Sequence, residues 1–248
     1  MDSRRTEQVF PGNRDVGLIK LAGDLCMVVA CDSAGGIGEK QLDAVKVPSY
    51  VLGRFTLRVA LMEVLSVGAD PCAVTAAICS EPSPTGEGVI SGIKDELKSV
   101  KMDLPIVIST EKNIPTCQTG LGVTVIGTVH EKSLRMNNTQ KGDRIYCIGI
   151  PKVGNEVRLE DPEIADSMLV KELLNQPLIH DIIPVGSGGI KREAEVLASH
   201  LGLSVKWRDD LAVDIMKSGG PNTCVIATGP EELHLSCAKP VSLVGMLS

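Results

Sequence analysis

Aromatic side chains are scarce in this sequence: phenylalanine, tryptophan and tyrosine together make up 2% of its 248 residues. Modules that bind single-stranded nucleic acid commonly stack bases on exposed aromatic rings, so this composition argues against such a module. The core must be built from valine, isoleucine, leucine and alanine, within a hydrophobic fraction of 43%. A core of that kind favours a packed α/β protein.

Other features are missing as well. The net charge is −6 and there is no run of basic residues, so nucleic acid is not an expected partner. The eight cysteines form no CxxC pair, and no apolar run approaches the length of a membrane span. The first ten residues, MDSRRTEQVF, contain no apolar signal core. We therefore expect a cytoplasmic protein with reduced cysteines and no membrane contact.

Hydrophobic periodicity predicts an alternation of strands and helices. A polar segment at residues 137–142 is the best linker candidate and predicts two domains, 1–136 and 137–248. In the first domain we predict strands at 25–31, 73–79, 105–109 and 123–129, and helices at 51–68 and 86–100. In the second we predict strands at 143–150, 203–207, 223–228 and 241–246, a helix from Asp161-Pro162, and a helix at 191–201.

Four carboxylates lie near predicted strand ends or glycine turns: Asp15, Asp32, Glu63 and Glu111. Mg²⁺ prefers oxygen ligands, and phosphoryl transfer depends mainly on cations and positioning, so this pattern is typical of a metal-dependent phosphotransfer site. Taken singly, each acid is more often a solvated turn residue or a helix cap.

Glycine-rich turns are the second candidate feature. Gly35, Gly36 and Gly38 follow the strand that ends at 31, and Lys40 stands where it could meet phosphate charge. This run is neither a Walker motif nor a dinucleotide fingerprint, and a flexible turn with a surface lysine is an equal alternative. A second cluster, at 186–189, is either an anion site at a helix start or an ordinary strand-to-helix turn.

In their order along the chain, four segments resemble the superfamily of aminoimidazole ribonucleotide synthetase and thiamine-monophosphate kinase. They are NRDVGLI, MVVACDSAGGIG, LMEVLSVGADP and ISTEKN. The resemblance spans nearly the whole chain and identifies Asp15, Asp32, Glu63 and Glu111 as the metal ligands. Two departures stand out: Met62 replaces the usual asparagine before the helix acid, and Ser109-Thr110 replace the glycines before the last acid.

Within the superfamily, four segments look most like α-ribazole kinase: ACDSAGGIGEKQLD, GRFTLRVALMEVLSVGADP, STEKNIPTCQTGLGVTVIG and IIPVGSGGI. The resemblance implies ATP and Mg²⁺ as cofactors, ATP in a groove between two domains, and a homodimer whose N-terminal sheets pair into a barrel. It implies phosphate contacts from the glycine loop and Lys40, substrate contacts from Arg54 and Asn113, and Asp32 as a conceivable general base.

Two other functions are compatible with the same residues. A thiamine-monophosphate kinase or an aminoimidazole ribonucleotide synthetase would act on a phosphorylated substrate, for which Arg54 and Arg58, one turn apart, could form a basic subsite. A nucleotide-binding assembly partner without turnover belongs to a different class. The retention of four acids argues against it, because binding alone tolerates their loss.

Overall fold

A computed structural model describes residues 8–9, of which only the backbone is considered, together with residues 14–233 and 235–248. The chain divides into two units, Met1–Leu134 and Arg135–Ser248. Each unit combines a β-sheet with two α-helices, which confirms the predicted α/β class. Within the described residues, no helix has the length and apolar character needed to cross a membrane.

The first unit is built on a six-stranded sheet. The strands described in this unit are β1 (Gln8–Val9), β2 (Gly17–Ala22), β3 (Leu25–Gly35), β4 (Ile37–Gly38), β5 (Val45–Lys46), β6 (Asp70–Ile78), β7 (Ile106–Thr110) and β8 (Gly120–His130). The sheet has the order β1-β2-β3-β8-β6-β7, with β6 and β7 parallel and the other pairs antiparallel. A short parallel pair, β4 and β5, follows β3.

One face of this sheet is the core face. Residues 26, 28 and 30 of β3 are buried, while their odd-numbered neighbours are at least partly exposed, as expected for a half-buried strand. Helix α1 (Ser49–Ser66) packs against β3, β8 and β6, and helix α2 (Glu87–Ser99) packs against α1. Gly68 ends α1 as predicted: its φ is +77° and its N–H donates to the Leu65 carbonyl at 2.8 Å.

The α1–α2 contact contains a buried acid. Glu96 of α2 has a side chain only 1% exposed, and it accepts hydrogen bonds from the Nε atoms of Arg54 and Arg58, both at 2.7 Å. Arg54 also donates to the Tyr50 hydroxyl at 2.9 Å. Both guanidinium groups are therefore engaged between the helices, which gives Arg54 a structural role, and its predicted substrate contact stays a prediction.

The second unit has a five-stranded antiparallel sheet of order β10-β12-β9-β13-β11. Its strands are β9 (Arg144–Gly149), β10 (Ile182–Pro184), β11 (Val205–Trp207), β12 (Cys224–Gly229) and β13 (Val241–Leu247), and its helices are α3 (Ser167–Leu174) and α4 (Gly189–His200). Ile145, Ile183, Ile190, Leu197 and Val244 belong to one buried cluster between the sheet and α4.

Most predicted elements are confirmed, with ends that differ by a few residues. The helix predicted from Asp161-Pro162 is wrong: these residues lie in a turn, and α3 begins only at Ser167. The cap is Asp166, whose carboxylate accepts from the Leu169 N–H at 2.8 Å. Asp161 instead pairs with Lys152 at 2.7 Å. Strand β2 was not predicted.

Loss of the buried acid should destabilise the first unit. Glu96→Ala leaves two guanidinium groups without their carboxylate, and we expect the free energy of unfolding to fall by about 3 kcal/mol in urea denaturation. Glu87→Ala is the control, because Glu87 lies on the same helix and its contact with Ser83 is exposed. An unchanged unfolding midpoint in Glu96→Ala would contradict this role.

Candidate functional site

The candidate site lies at one edge of the first sheet, where several strands and loops meet. Strand β3 ends at Gly35, opposite Gly120 at the start of β8. Strand β6 ends at Ile78, opposite Thr110 at the end of β7, and the Glu111 N–H donates to the Ser80 carbonyl at 3.0 Å. Residues that follow three different strands are thereby brought to a single edge.

Lys40 is fixed at this edge through both its backbone and its side chain. Its N–H donates to Asp43 Oδ2 at 2.8 Å, and its ammonium donates to Glu81 Oε2 at 2.5 Å. The Lys40 side chain is only 14% exposed. This arrangement disfavours the alternative of a freely solvated turn lysine.

The glycine loop before Lys40 is shaped by close packing. Gly38 has φ +150°, and a Cβ there would stand 2.5 Å from Thr119 Oγ1 and 2.8 Å from Asp43 Oδ2. The Gly36 N–H donates to the Thr119 carbonyl at 2.9 Å. The backbone N–H groups of Gly36 and Lys40 therefore donate to acceptors within the protein, and phosphate contact by the Lys40 ammonium stays a prediction. Phosphate contact by Gly35, Gly36 and Gly38 stays a prediction.

Glu111 and Asn113 lie on the neighbouring loop. Glu111 Oε1 accepts from the N–H groups of Asn113, at 2.7 Å, and Ile114, at 3.1 Å. The Asn113 hydrogen bond, followed by that of Ile114, lowers the pKa of Glu111. The carboxylate thus organises the loop that carries the predicted substrate residue Asn113.

Asp32 is a strand residue rather than a strand-end residue. It lies opposite Val123 on the core face, in the row of Val28 and Ala30, three residues or about 10 Å before Gly35. Burial raises the pKa of Asp32 to about 6, despite a backbone hydrogen bond from Ser33 that lowers it. A carboxylate with a pKa in that range can take up a proton near neutral pH.

Asp15 and Glu63 are connected to another part of the unit. Arg14, next to Asp15, donates to Ser66 Oγ at 2.7 Å, and that hydroxyl donates to the Glu63 carbonyl at 2.9 Å. Glu63 is 6% exposed and lies about 20 Å along α1 from its first residue, Ser49. Ser49 is the helix end nearest the glycine loop, since its hydroxyl donates to Glu39 at 2.7 Å.

The four predicted acids do not form a single cage. Among residues 14–233 and 235–248, no three histidine, cysteine, aspartate or glutamate side chains gather within reach of one metal ion. Their oxygen chemistry nevertheless suits Mg²⁺, which commonly takes only one or two protein carboxylates together with substrate phosphates and water. Individual metal-ligand roles for Asp15, Asp32, Glu63 and Glu111 therefore stay predictions, whereas a shared four-acid cage is dropped.

Two important residues of this edge were not predicted. Glu81 binds Lys40, and Asp43 binds Thr119 as well as Lys40. Glu81 follows an apolar segment and precedes a proline turn, whereas Asp43 has only the glycine run a few residues before it. Their partners lie 41 and 76 positions away in the chain, beyond the reach of local patterns.

The second glycine cluster is an ordinary turn. The N–H groups of Gly189 and Lys191, at the start of α4, donate to the carbonyls of Gly186 and Ile215. A Cβ on Gly189, whose φ is +75°, would stand 2.8 Å from the Lys217 carbonyl oxygen. Carbonyl oxygens around the helix start are unfavourable for an anion, so the turn interpretation of residues 186–189 is preferred.

The second unit also contains a cavity of about 810 Å³. Its walls place three cations against four carboxylates, with Lys152 bound to Asp161 and Glu163, and Lys217 bound to Glu156. This charge balance opposes a polyanion such as a triphosphate. The charges of this cavity therefore give no reason to move the predicted phosphate site away from Lys40.

The raised pKa of Asp32 predicts a pH-dependent gain in stability for Asp32→Asn. Because the pKa of Asp32 is near 6 in the folded state and 3.8 ordinarily, its contribution to folding stability is fully present at pH values below 3.8. That contribution is lost as the pH rises through 6. In urea denaturation without divalent metal, the free energy of unfolding of the variant should exceed that of wild type by about 2 kcal/mol at pH 8. At pH 4 the two values should be almost equal. Asp70→Asn, an exposed strand acid, is the control. A loss at pH 8 would contradict the burial argument.

Comparison with known proteins agrees with this description. Residues 13–129 match the family model described as AIR synthase related protein, N-terminal domain. That range covers strands β2 to β7, both helices of the first unit and all of β8 except its last residue, His130. No curated protein sequence matches the chain.

Three solved structures share the fold of the chain at low sequence identity. Thiamine-monophosphate kinase from Stenotrophomonas maltophilia is 16% identical, with TM-score 0.64, covering 99% of this chain and 90% of that one. AaThiL complexed with AMPPCP and TMP is 14% identical, with TM-score 0.65, covering 95% and 84%. PurLQS from Thermotoga maritima is 15% identical, with TM-score 0.66, covering 97% of this chain and 38% of that one.

The chain thus spans less than half of the PurLQS structure and most of the two ThiL-type structures. The family match therefore concerns the first unit alone, and the solved structures show that the chain has the fold of these proteins.

Proposed function

We propose that this chain is an ATP-dependent kinase that transfers a phosphoryl group to the 5′-hydroxyl of a nucleoside, with α-ribazole as the acceptor. The observation that carries the proposal is the fixed ammonium of Lys40 beside the glycine loop at the sheet edge. A positioned cation of this kind is what phosphoryl transfer requires of a protein. The fold shared with a thiamine-monophosphate kinase, and with a ThiL protein complexed with an ATP analogue, supports ATP as the donor.

In the proposed reaction the nucleoside oxygen forms a bond to the γ-phosphorus, and the bond from that phosphorus to the β–γ bridging oxygen breaks. ADP leaves, and the hydroxyl proton passes to Asp32, whose raised pKa suits a general base, and then to water. Lys40 stabilises negative charge on the phosphate oxygens as a point cation. The reaction balances without any further reactant.

Mg²⁺ is proposed as the accompanying cation, held by one or two of the four predicted acids together with phosphate oxygens. Asp32 and Glu111 are better placed for this than Asp15 and Glu63, because Glu63 lies about 20 Å along α1 from the helix end nearest the glycine loop. When bound, it supplies positive charge that neutralises the triphosphate. If Asp32 is a metal ligand in the loaded enzyme, it cannot also be the base. The transfer then needs no protein base, since a loose transition state leaves little proton chemistry to be done.

The edge also offers apolar surface for the acceptor. Leu42 is 58% exposed and Ile114 is 67% exposed, on the loops that carry Lys40 and Glu111. The two loops are tied together, because the Leu42 N–H donates to the Cys117 carbonyl at 3.0 Å. An acceptor with an apolar aromatic base, such as the benzimidazole of α-ribazole, fits this surface, and Asn113 can contact its ribose.

The alternatives are less well supported. A phosphorylated acceptor needs a second basic subsite, and Arg54 and Arg58, the residues predicted to supply it, are engaged by Glu96. Thiamine monophosphate and the ribonucleotide substrate of aminoimidazole ribonucleotide synthetase are therefore second candidates. A nucleotide-binding partner without turnover could use the fixed lysine, but it would have no use for a general base, the role that the raised pKa of Asp32 suits.

We further propose that the domain comprising residues 1–136 binds ATP and forms the dimer, with a second domain at 137–248. In the first sheet, the face opposite α1 carries Val29, Ile126 and Val107, which are only partly covered. Pairing of this face with the same face of a second copy would bury them.

A panel of acceptors tests the function. Purified protein with Mg²⁺ and ATP should release ADP with α-ribazole, and at least about tenfold less with thiamine monophosphate or common nucleosides. Lys40→Ala is the matched control for contaminating kinases, because it should remove the ADP release. ATP consumption that is independent of α-ribazole, or none with any acceptor, would contradict the proposal.

Lys40 itself is tested by binding. Lys40→Ala should weaken a non-hydrolysable ATP analogue by about 1.5–3 kcal/mol, the scale of hydrogen bonds to charged groups. Lys40→Arg should recover only part of this, because a planar guanidinium does not fit a site shaped for an ammonium. Calorimetric titration of the three proteins measures the effect, and equal affinity of alanine and wild type would remove Lys40 from the site.

The dimer is tested on the two faces of β8. Ile126→Asp places a charge on the uncovered face and should convert a dimer to a folded monomer in sedimentation velocity. Val125→Asp is the comparison: Val125 is 0% exposed on the core face, so its change should unfold the unit rather than separate subunits. A wild type that sediments as a monomer at micromolar concentration would refute the dimer and leave the kinase proposal intact.

A further inference from the structure

We propose that Glu81 is a positioning residue, which holds the ammonium of Lys40 in the orientation that receives the nucleotide phosphates. The inference deepens the proposed function and rests on it. It assigns a role to an acid that neither the motif resemblance nor the predicted metal ligands include.

Glu81 is fixed at both ends of its carboxylate. Oε2 accepts from Lys40 Nζ at 2.5 Å, and Oε1 accepts a very short hydrogen bond from Thr85 Oγ1. Burial alone would raise the pKa of Glu81, but the hydrogen bonds from Lys40 and Thr85 outweigh it and lower the pKa to about 2. The acid is therefore charged throughout the range in which a kinase would be assayed.

The backbone around Glu81 is also held. Glu81 precedes a tight turn, Pro82–Gly86, that leads into α2, and the Gly86 N–H donates to the Glu81 carbonyl at 3.1 Å. A Cβ on Gly86 would stand 3.1 Å from that carbonyl oxygen, so the turn packs closely. Two prolines further restrict its backbone. Glu81 is thus a rigid anchor rather than a mobile surface acid.

The pair leaves Lys40 able to bind phosphate. An ammonium has three N–H donors, and the bond to Glu81 uses only one of them. Lysine is among the side chains that lose most rotamer freedom when they are immobilised, and here that freedom is already restricted before a ligand binds. Protein kinases use a lysine–glutamate ion pair in the same way, to hold a phosphate-binding lysine.

Glu81 could instead weaken nucleotide binding. A carboxylate next to a phosphate site repels the phosphate, so removing it would tighten nucleotide binding if repulsion outweighed positioning. A purely structural ion pair would change thermal stability and leave nucleotide binding unaltered. The three cases give different results in one set of variants.

The experiment compares Glu81→Gln, Lys40→Ala and the double variant, with Glu87→Gln as control. Glu87 lies just beyond the same turn and contacts Ser83 rather than Lys40. Glu81→Gln should raise the dissociation constant of a non-hydrolysable ATP analogue, and the KM for ATP, by about tenfold. In the Lys40→Ala background the same change should have no further effect, because its action runs through Lys40.

A readout without nucleotide separates this inference from the proposed function. Acetylation of Lys40 by acetic anhydride, followed by mass spectrometry, should be several-fold faster in Glu81→Gln than in wild type or Glu87→Gln. Failure of the wild type to bind the analogue would count against the proposed function. Unchanged acetylation, tighter analogue binding in Glu81→Gln, or an equal effect in the Lys40→Ala background would each overturn the role of Glu81.

Discussion

The carboxylate of Asp43 is the interaction on which the candidate site depends. It accepts from the N–H and hydroxyl of Thr119, at 2.7 and 2.8 Å, and from the Lys40 N–H at 2.8 Å. Burial of this acid, which is 5% exposed, would raise its pKa, but the hydrogen bonds led by that of the Thr119 backbone lower it. A buried carboxylate whose oxygens all accept hydrogen bonds in this way holds together segments that are distant in sequence.

The positions of Gly38 and Lys40 depend on these hydrogen bonds of Asp43. Because Asp43 lies against Thr119, residue 38 has no room for a Cβ and must be glycine. Because the loop is fixed there, Lys40 reaches Glu81 beyond the end of β6. Glu96 has the same function between α1 and α2. The first unit is thus held together by acids whose carboxylates are hydrogen-bonded within the protein.

Local sequence patterns predict most elements of the first unit correctly. Alternation in β3, the apolar spacing of α1 and the stop at Gly68 are properties of neighbouring residues, so they can be read from the sequence. The helix at Asp161 failed because Asp166 is the cap, and only the observed hydrogen bond to Leu169 distinguishes the two acids. Strand β2, GLIKLA, has its last three residues exposed, so its hydrophobic pattern is too weak to predict a strand.

The candidate site shows where such prediction stops. Glu111 and Asn113 were predicted from the family resemblance, and the structure shows that their loop and the glycine loop lie at one edge, because β3 ends there, β8 begins there, and β6 and β7 end there. Asp32 was predicted as a strand end, yet β3 continues to Gly35 and gives it a desolvated position. Arg54 appeared available because Glu96 is on another helix. Tertiary packing determines which charged side chains are exposed to solvent and which form ion pairs with one another. At this edge it leaves Lys40 as the proposed phosphate ligand.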